Sequence, residues 1–214
     1  MKTFILLFIL SLMLGSAALA NQPALGAISI TMESQQPVSL LIYPDGSGPA
    51  LTEAMVADGA TVDATITVML VDEFLNPVVY FPSEDVWLDT EDTNISTCGS
   101  NFLPDAISDS SGRMTFSQAF AGGGHHQGET FVYINGWRAE SMVDYPWSGP
   151  LPGVDLHFNS PDINADGVIN LLDLTIFSAD FFGAYHYRSD FNWDGELNIL
   201  DVGRYAAGLG VSCQ

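Results

Sequence analysis

The chain has 214 residues, of which 26 are acidic and five are lysine or arginine, and its formal net charge at pH 7 is −21. So large a negative charge disfavours nucleic acids and anionic membrane surfaces as partners, because both repel an acidic protein, and it suits the binding of cations. A chain of this length can form one large domain or two small ones.

Residues 1–20 are predicted to be a secretory signal peptide. Lys2 gives a positive start, an apolar run covers residues 4–14, and Ala18-Leu19-Ala20 forms a small-x-small cleavage site. The apolar run is too short to span a bilayer, so we predict a secreted, extracellular protein without membrane insertion. The mature chain would begin near Asn21 and would carry four arginines against 26 acidic residues, a net charge of 4 − 26 = −22.

Residues 27–158 contain short segments in which apolar residues alternate with small or polar ones, separated by turns rich in Gly, Pro, Asn and Asp. This pattern is typical of an antiparallel β-sandwich, which we predict for residues 21–160. The predicted strands cover residues 28–32, 38–43, 61–71, 78–81, 86–88, 114–120, 131–134 and 154–158. Gly122-Gly123-Gly124 is interpreted as part of a loop.

Two segments of this region are similar to bacterial immunoglobulin-like domains of the invasin type. Val71-Asp72-Glu73-Phe74-Leu75-Asn76-Pro77-Val78 resembles a strand–turn–strand segment of those domains. Ser108-Asp109-Ser110-Ser111-Gly112-Arg113-Met114-Thr115-Phe116 resembles one of their turns and the strand that follows it. The resemblance implies an immunoglobulin-like sandwich that acts as a spacer or adhesive module, without catalytic chemistry.

A twelve-residue pattern occurs twice after residue 160, at residues 162–173 and 190–201, and seven of its positions are identical in the two copies. Aspartate occupies positions 1, 5 and 12, asparagine positions 3 and 9, and glycine position 6. Calcium takes about six to eight oxygen ligands, and a twelve-residue loop supplies them from side chains and from the backbone carbonyl at position 7. The repeat therefore predicts two bound calcium ions.

The predicted ligands are Asp162, Asn164, Asp166, Val168, Asn170 and Asp173 for the first ion, and Asp190, Asn192, Asp194, Glu196, Asn198 and Asp201 for the second. Val168 and Glu196 would contribute their backbone carbonyls. Gly167 and Gly195 fall at position 6, where the loop needs a positive φ. Position 8 holds Ile169 and Leu197, which we expect to pair across a short β-bridge, so that the two sites fold as a unit.

Helical periodicity follows each loop and does not precede it. The apolar positions are 171, 174, 177 and 181 after the first loop, and 199, 202, 205, 206 and 209 after the second. Position 12 is aspartate, where the common EF-hand pattern has glutamate. Two loops of this composition, each followed by a helix, resemble the dockerin family over about residues 161–210. We therefore predict a small α module at 161–214, of the dockerin type, with paired EF-hand-like calcium loops.

The resemblance implies that the module needs calcium to fold and docks to a cohesin-type scaffold protein, often in a polysaccharide-degrading assembly. In many dockerins, positions 10 and 11 of each loop hold small or hydroxyl residues that touch the partner. Here these positions hold Leu171, Leu172, Ile199 and Leu200. The sequence leaves open whether they contact a partner, pack inward or pack against the sandwich.

Other candidate sites have weaker patterns. Cys98 and Cys213 could form a disulfide bond, remain as two thiols or contact another chain. His125 and His126 could form a metal site with His157, but the absence of helical spacing favours a hydrated loop. Trp87, Trp137, Trp147 and Trp193 could form a sugar-stacking platform, although scattered aromatics in a sandwich are more often core residues.

Three functions therefore follow from the sequence. The leading hypothesis is a secreted, non-enzymatic protein that docks through its calcium-loaded module. The first alternative is a structural or adhesive protein in which the paired loops only cap and stabilise the sandwich. The second alternative is a glycan-binding or glycan-cleaving protein. Because no catalytic motif stands out, we predict that the chain is not an enzyme.

Overall fold

The computed structural model of the protein describes residues 22–25, 28–99, 101–139 and 153–214. The predicted signal peptide, the predicted mature start at Asn21 and Trp147 lie outside the described residues. Within the described part of the chain, no helix is long and apolar enough to cross a membrane.

The described residues form twelve β-strands and two α-helices. The strands are β1 (Ser29–Met32), β2 (Val38–Leu41), β3 (Ala54–Met55), β4 (Thr61–Val62), β5 (Ile66–Met69), β6 (Val86–Asp89), β7 (Ile95–Thr97), β8 (Arg113–Phe116), β9 (Gly122–Gly124), β10 (Phe131–Ile134), β11 (Trp137–Arg138) and β12 (Leu156–Asn159). The helices are α1 (Leu171–Phe181) and α2 (Ile199–Gly208). The prediction of a mainly β chain with helices after residue 160 is confirmed.

The strands form four sheets, in the orders β1-β5-β8, β11-β10-β6, β12-β2-β3-β4 and β7-β9. All but one of the pairings between these strands are antiparallel. The exception is β12, which runs parallel to β2 with Leu156 opposite Val38. The prediction of an entirely antiparallel arrangement is wrong for this pair. A parallel pair needs a long connection, which the chain between β2 and β12 provides.

The alternating pattern of the strands explains the main core. In β10, Val132 and Ile134 are buried, whereas Phe131 and Tyr133 are partly exposed. Residues from the four-stranded and both three-stranded sheets join one apolar cluster that runs from Ile28 to Phe158. Since each fully buried large apolar side chain contributes about 1.5–3 kcal/mol, this cluster is the principal source of stability for the β region.

Three segments differ from the predicted strands. Residues 61–71 form two strands, because the backbone N–H and the hydroxyl of Thr65 both donate to the side chain of Asp63 and interrupt the ladder. Residues 78–81 do not form a strand, and Tyr80 adopts a positive φ of 58°. Gly122-Gly123-Gly124 forms β9 instead of a loop.

The helical region (residues 161–214) packs directly against the β region (residues up to 160). A second apolar cluster combines Leu41, Tyr43 and Met55 with side chains that follow Ser160, namely Ile163, Ile169, Phe177, Phe191 and Tyr205. The Asn159 side-chain amide donates to the carbonyls of Tyr187 and Asp190, at 2.7 and 2.9 Å. The core therefore continues across the predicted boundary between residues 160 and 161.

A disulfide bond also joins the two regions. Cys98, next to β7, is bonded to Cys213, which follows α2, and their Cα atoms are 5.2 Å apart. Of the three alternatives that the sequence left open, the structure has the disulfide. The bond closes a loop with a sequence separation of 115 residues, for which chain entropy gives a stabilisation of roughly 4–5 kcal/mol.

Candidate calcium sites

The first loop (residues 162–173) and the second loop (residues 190–201) have the same backbone conformation. Gly167 and Gly195, at position 6, both have φ 84°. Asn170 and Asn198, at position 9, both have φ −143° and ψ −168°. The sequence repeat is therefore also a structural repeat, and the left-handed φ at position 6 explains why both copies have glycine there.

Positions 9 and 12 fix the start of each helix. The Asn170 side chain accepts from the backbone N–H of Leu172 at 2.8 Å, and the Asp173 side chain accepts from the backbone N–H of Asn170 at 2.9 Å. Asn198 and Asp201 make the same two bonds at the start of α2. This reciprocal capping satisfies N–H groups that the first helical turn leaves free. Two predicted ligands of each loop are thereby held in a defined orientation.

The carboxylates of the aspartates at positions 1 and 12 accept hydrogen bonds from backbone N–H groups of their loops. The Asp162 carboxylate accepts from the N–H groups of Asp166 and Gly167, at 3.1 and 2.9 Å. Asp190 accepts from the N–H groups of Asp194 and Gly195 in the same way. The remaining oxygens of Asp173 and Asp201 accept from loop N–H groups at 3.1 and 2.8 Å.

These four carboxylates, of Asp162, Asp173, Asp190 and Asp201, have no exposed surface. None of the ion pairs among the described residues involves them. Burial, reinforced by the charges of Asp173 and Asp166, raises the pKa of Asp162 to about 6. Burial also raises the pKa of Asp190 and of Asp201. Buried carboxylates without a counter-ion are costly, and a divalent cation would offset that cost.

At positions 3 and 5 of each loop, an asparagine and an aspartate are hydrogen-bonded to each other. The Asn164 amide donates to Asp166 at 2.9 Å, and the Asn192 amide donates to Asp194 at 2.6 Å. The side-chain oxygen of Asn192 is buried and has no hydrogen-bond partner. A hard cation would satisfy a buried, unpaired oxygen at a predicted ligand position. The residues present therefore fit calcium.

Both position-7 residues, Val168 and Glu196, are exposed. The Val168 carbonyl accepts from the side-chain amide of Asn170 at 3.0 Å. Glu196 donates its backbone N–H to Asp194 at 3.0 Å. In the described ranges, no group of three or more His, Cys, Asp or Glu side chains is arranged as a metal-binding cluster. The aspartates of the loops are instead turned towards loop amides, so calcium would compete with those amides for the carboxylate oxygens.

The residues at positions 10 and 11 face solvent. The exposed fraction is 69% for Leu171, 59% for Leu172, 74% for Ile199 and 58% for Leu200. They therefore neither pack inward nor against the β region, which were two of the arrangements that the sequence left open. Each helix begins with an adjacent pair of exposed, large apolar side chains at equivalent positions of the repeat.

The first loop lies against β9, and this contact explains the central one of its three glycines. The Gly124 N–H donates to the Asp162 carbonyl at 2.6 Å. A Cβ atom on Gly123 would lie only 1.9 Å from a carboxylate oxygen of Asp162. Glycine is therefore required where the strand approaches the loop. Sequence reasoning missed this role, although three consecutive glycines are a signal of close backbone approach.

Two further features of the sites were not predicted. The Tyr185 hydroxyl donates to Asp190 at 2.8 Å, which adds a side-chain contact to position 1 of the second loop. Ile169 does not pair with Leu197: its N–H donates to the Val211 carbonyl, and its carbonyl accepts from Gly210. The expected bridge between the loops is thus wrong, and residues after α2 take that place. No local sequence signal marks either contact.

The histidines and tryptophans that the sequence singles out have different hydrogen-bond and packing partners. His126 contacts Asp92 at 3.2 Å and the Glu129 carbonyl at 3.1 Å, whereas His157 contacts Asp155 at 2.8 Å. The sequence-based alternative of a shared histidine metal site gains no support from these separate partners. The tryptophans also have separate neighbours: Trp87 stacks with Tyr133, and Trp193 packs against His157, with ring centroids 5.8 and 5.0 Å apart.

Comparisons with protein-family models, with curated proteins and with solved structures each found no match. The functional argument therefore depends on the residues of this chain and on their geometry.

Proposed function

We propose that this is a secreted, non-enzymatic, calcium-binding protein whose residues 161–214 form a dockerin-type module that docks to a cohesin-type scaffold protein. The two loops would each bind one calcium ion through the twelve ligands named above. The β region would be an immunoglobulin-like spacer that carries the module. The link to polysaccharide degradation comes from the family resemblance alone.

Calcium binding is supported by the repeated loop geometry and by the charge of the loops. Each loop buries two carboxylates without a basic partner and contains a third aspartate at position 5. When bound, the cations would neutralise these charges and fix the starts of both helices through positions 9 and 12. The side chains at positions 10 and 11 would then be held on a rigid support.

The observation that carries the docking proposal is the exposure of Leu171, Leu172, Ile199 and Leu200. Contiguous exposed apolar patches mark protein interaction sites, whereas single exposed apolar side chains are common on protein surfaces. The four side chains lie at the two positions through which the resemblance implies partner contact. Their apolar character indicates a partner with a hydrophobic contact surface and, given the net charge of −21, without an excess of acidic groups.

The test is binding of the full mature chain to a panel of cohesin-type modules, measured by calorimetry in calcium and in excess chelator. We expect binding in calcium only. The double variant Leu172→Asp with Leu200→Asp should weaken it by at least about ten-fold, because a central apolar contact contributes more than 1 kcal/mol. Ile107→Asp is the matched control, since Ile107 is an exposed, large apolar residue of the β region outside any such pair. Absence of binding to every module would overturn the docking proposal.

A second candidate function is a calcium-stabilised cap on the β region, without an external partner. It is favoured by the apolar cluster that joins Leu41, Tyr43 and Met55 to the helical region, and by the Cys98–Cys213 disulfide. If the chain binds two calcium ions and no cohesin-type module, while chelation also lowers the stability of the β region, the cap is the better explanation.

A further inference from the structure

We propose that residues 210–213, the tail segment, position the first calcium site, and that the Cys98–Cys213 disulfide holds the tail segment in place. The proposal rests on the calcium sites proposed above. It assigns a role to a part of the chain that lies outside both twelve-residue loops and that no ligand pattern includes.

The tail segment forms an antiparallel ribbon with the first loop. Cys213 donates its N–H to the Gly167 carbonyl, and Ile169 donates its N–H to the Val211 carbonyl, both at 2.9 Å. Between these two bonds, Val168 lies opposite Ser212. In this arrangement Val168 and Ser212 are a non-hydrogen-bonded pair, so the N–H and the carbonyl of Val168 point away from the tail segment.

This orientation matters because Val168 is the predicted carbonyl ligand. Its N–H donates to Asp166 at 3.1 Å and its carbonyl accepts from Asn170 at 3.0 Å, so both groups turn into the loop. Asp166 and Asn170 are themselves predicted ligands. The ribbon thus fixes the Gly167 carbonyl and the Ile169 N–H, which flank Val168. The Val168 carbonyl faces into the loop, where the cation would bind.

Among the described residues, position 6 of the second loop has no such cover. A Cβ atom on Gly167 would lie 2.9 Å from the sulfur of Cys213, whereas a Cβ atom on Gly195 would meet no atom within 4 Å. At position 8, Ile169 is fully buried and Leu197 is partly exposed. The tail segment therefore covers position 6 of the first loop, whereas position 6 of the second loop is open.

The disulfide connects the two supports of the first loop. Cys98 directly follows β7, which pairs with β9, and β9 bonds to position 1 of the loop through Gly124 and Asp162. Cys213 bonds to position 6 on the other side. Val211 packs against the second apolar cluster, whereas Gly210, Ser212 and Cys213 are exposed, so only one side chain of the tail segment is held by burial. The covalent link raises its local concentration at the loop.

Reduction of the disulfide should therefore weaken calcium binding at the first site and not at the second. A dithiol reductant supplies two electrons and two protons, the sulfur–sulfur bond breaks to two thiols, and the reductant becomes a disulfide. A coupling of ordinary size would change the affinity roughly 5- to 150-fold. By linkage, calcium must make the disulfide harder to reduce by the same factor.

The test is a calcium titration of the full mature chain, oxidised and after reduction in place, followed by calorimetry. We expect one of two binding steps to weaken at least about five-fold and the other to change less than about two-fold. Asp190→Ala, which retains only the first site, should keep the effect of reduction. Asp162→Ala, which retains only the second, should lose it. Cys98→Ser with Cys213→Ser should reproduce the reduced state.

A second measurement uses the wild-type protein alone, so that it does not depend on the folding of any variant. The equilibrium between disulfide and thiols is measured in a thiol redox buffer, in calcium and in chelator, and calcium should shift it by the factor found in the titration. Equal weakening of both sites, or no effect of reduction on either, would overturn the proposal. A wild-type chain that binds no calcium would instead contradict the proposed calcium sites.

Discussion

The first and second loops have the same backbone conformation but lie in different surroundings. Both have the same dihedral angles at positions 6 and 9 and the same helix caps. At position 4 both adopt a positive φ, with Ala165 in the first loop and Trp193 in the second. Ala165 is small because β9 approaches it, whereas Trp193 packs against His157 and Tyr187 where the helical and β regions meet.

This difference shows what a repeated motif specifies and what it does not. Local hydrogen bonds within twelve residues are enough to define the ligand positions. The surroundings then decide how firmly each loop is held: the first by β9 and the tail segment, the second by Tyr185 and by the packing of Trp193. Two sites with the same ligands are therefore expected to differ in calcium affinity, because preorganisation contributes to binding.

Removal of both calcium ions should have the largest effect on stability, because the folded state then loses the binding free energy of both sites. Each ion contributes about 2.7 kcal/mol to the folded state when free calcium is about 100 times the Kd. In excess chelator we expect circular dichroism to lose the helical signal and keep the strand signal, since the main core contains no residue of either helix. Identical spectra and melting temperatures in calcium and chelator would show that the metal does not fold the helical region.

Replacement of Gly123 should disrupt the first loop alone. In Gly123→Ala the new methyl group would overlap the Asp162 carboxylate, and we expect a loss of about 1–3 kcal/mol in unfolding free energy together with the loss of one calcium ion. Gly203→Ala is the matched control. Gly203 lies within α2 and its Cβ would meet no atom, so this change should stabilise the protein by about 0.5–1 kcal/mol.

For both variants, denaturant titrations measure the unfolding free energy, and calorimetry measures the number of bound calcium ions. Opposite signs of the two stability changes are the expected result. If Gly123→Ala binds two ions as tightly as the wild type, β9 is not a support of the first loop.

The extent to which the sequence predicts this molecule follows from the range of the interactions involved. The twelve ligand positions, the left-handed glycines and the helix starts depend on neighbours within one loop, and a repeat of period 28 makes them visible. The burial and the helical location of Phe177 and Tyr205 follow from local periodicity.

The other features depend on distant parts of the chain. The strand formed by Gly122–Gly124 contradicts strand propensity, and the close approach of Asp162 and of the Asn94 and Ser96 carbonyls explains its glycines. The partner of Ile169 is Val211, which no periodicity indicates. The parallel pairing of β12 with β2 likewise depends on where the chain returns after a long excursion. Local propensity and spacing contain no information about such long-range contacts.

Removal of the Tyr185 hydroxyl should weaken only the second site. Tyr185→Phe removes the hydrogen bond to Asp190, and a bond of this kind contributes about 1 kcal/mol, so we expect about a five-fold loss of affinity there. Tyr80→Phe, at an exposed tyrosine of the β region, is the control. Calcium titrations in the Asp162→Ala background isolate the second site. An unchanged affinity in Tyr185→Phe would mean that the hydroxyl does not position Asp190.

The smallest effect is expected at His157, the residue that corresponds to Tyr185 in the other copy of the repeat. It does not contact Asp162; it bonds to Asp155 and packs against Trp193 of the second loop. Burial lowers the pKa of His157, and the neighbouring His126 lowers it further, against the opposing effect of Asp155. One ring nitrogen is buried without a partner.

Because the folded-state pKa of His157 lies below its unfolded value, its contribution to stability is present above that value and is lost as the pH falls through the folded-state pKa. With calcium saturating, the melting temperature should therefore decrease from pH 7 to pH 5. His157→Gln should reduce this decrease, because glutamine does not titrate. The control is His186→Gln, at a mostly exposed histidine that faces Asp180. The same pH dependence in the wild type and in His157→Gln would show that protonation of His157 does not loosen the contact with the second loop.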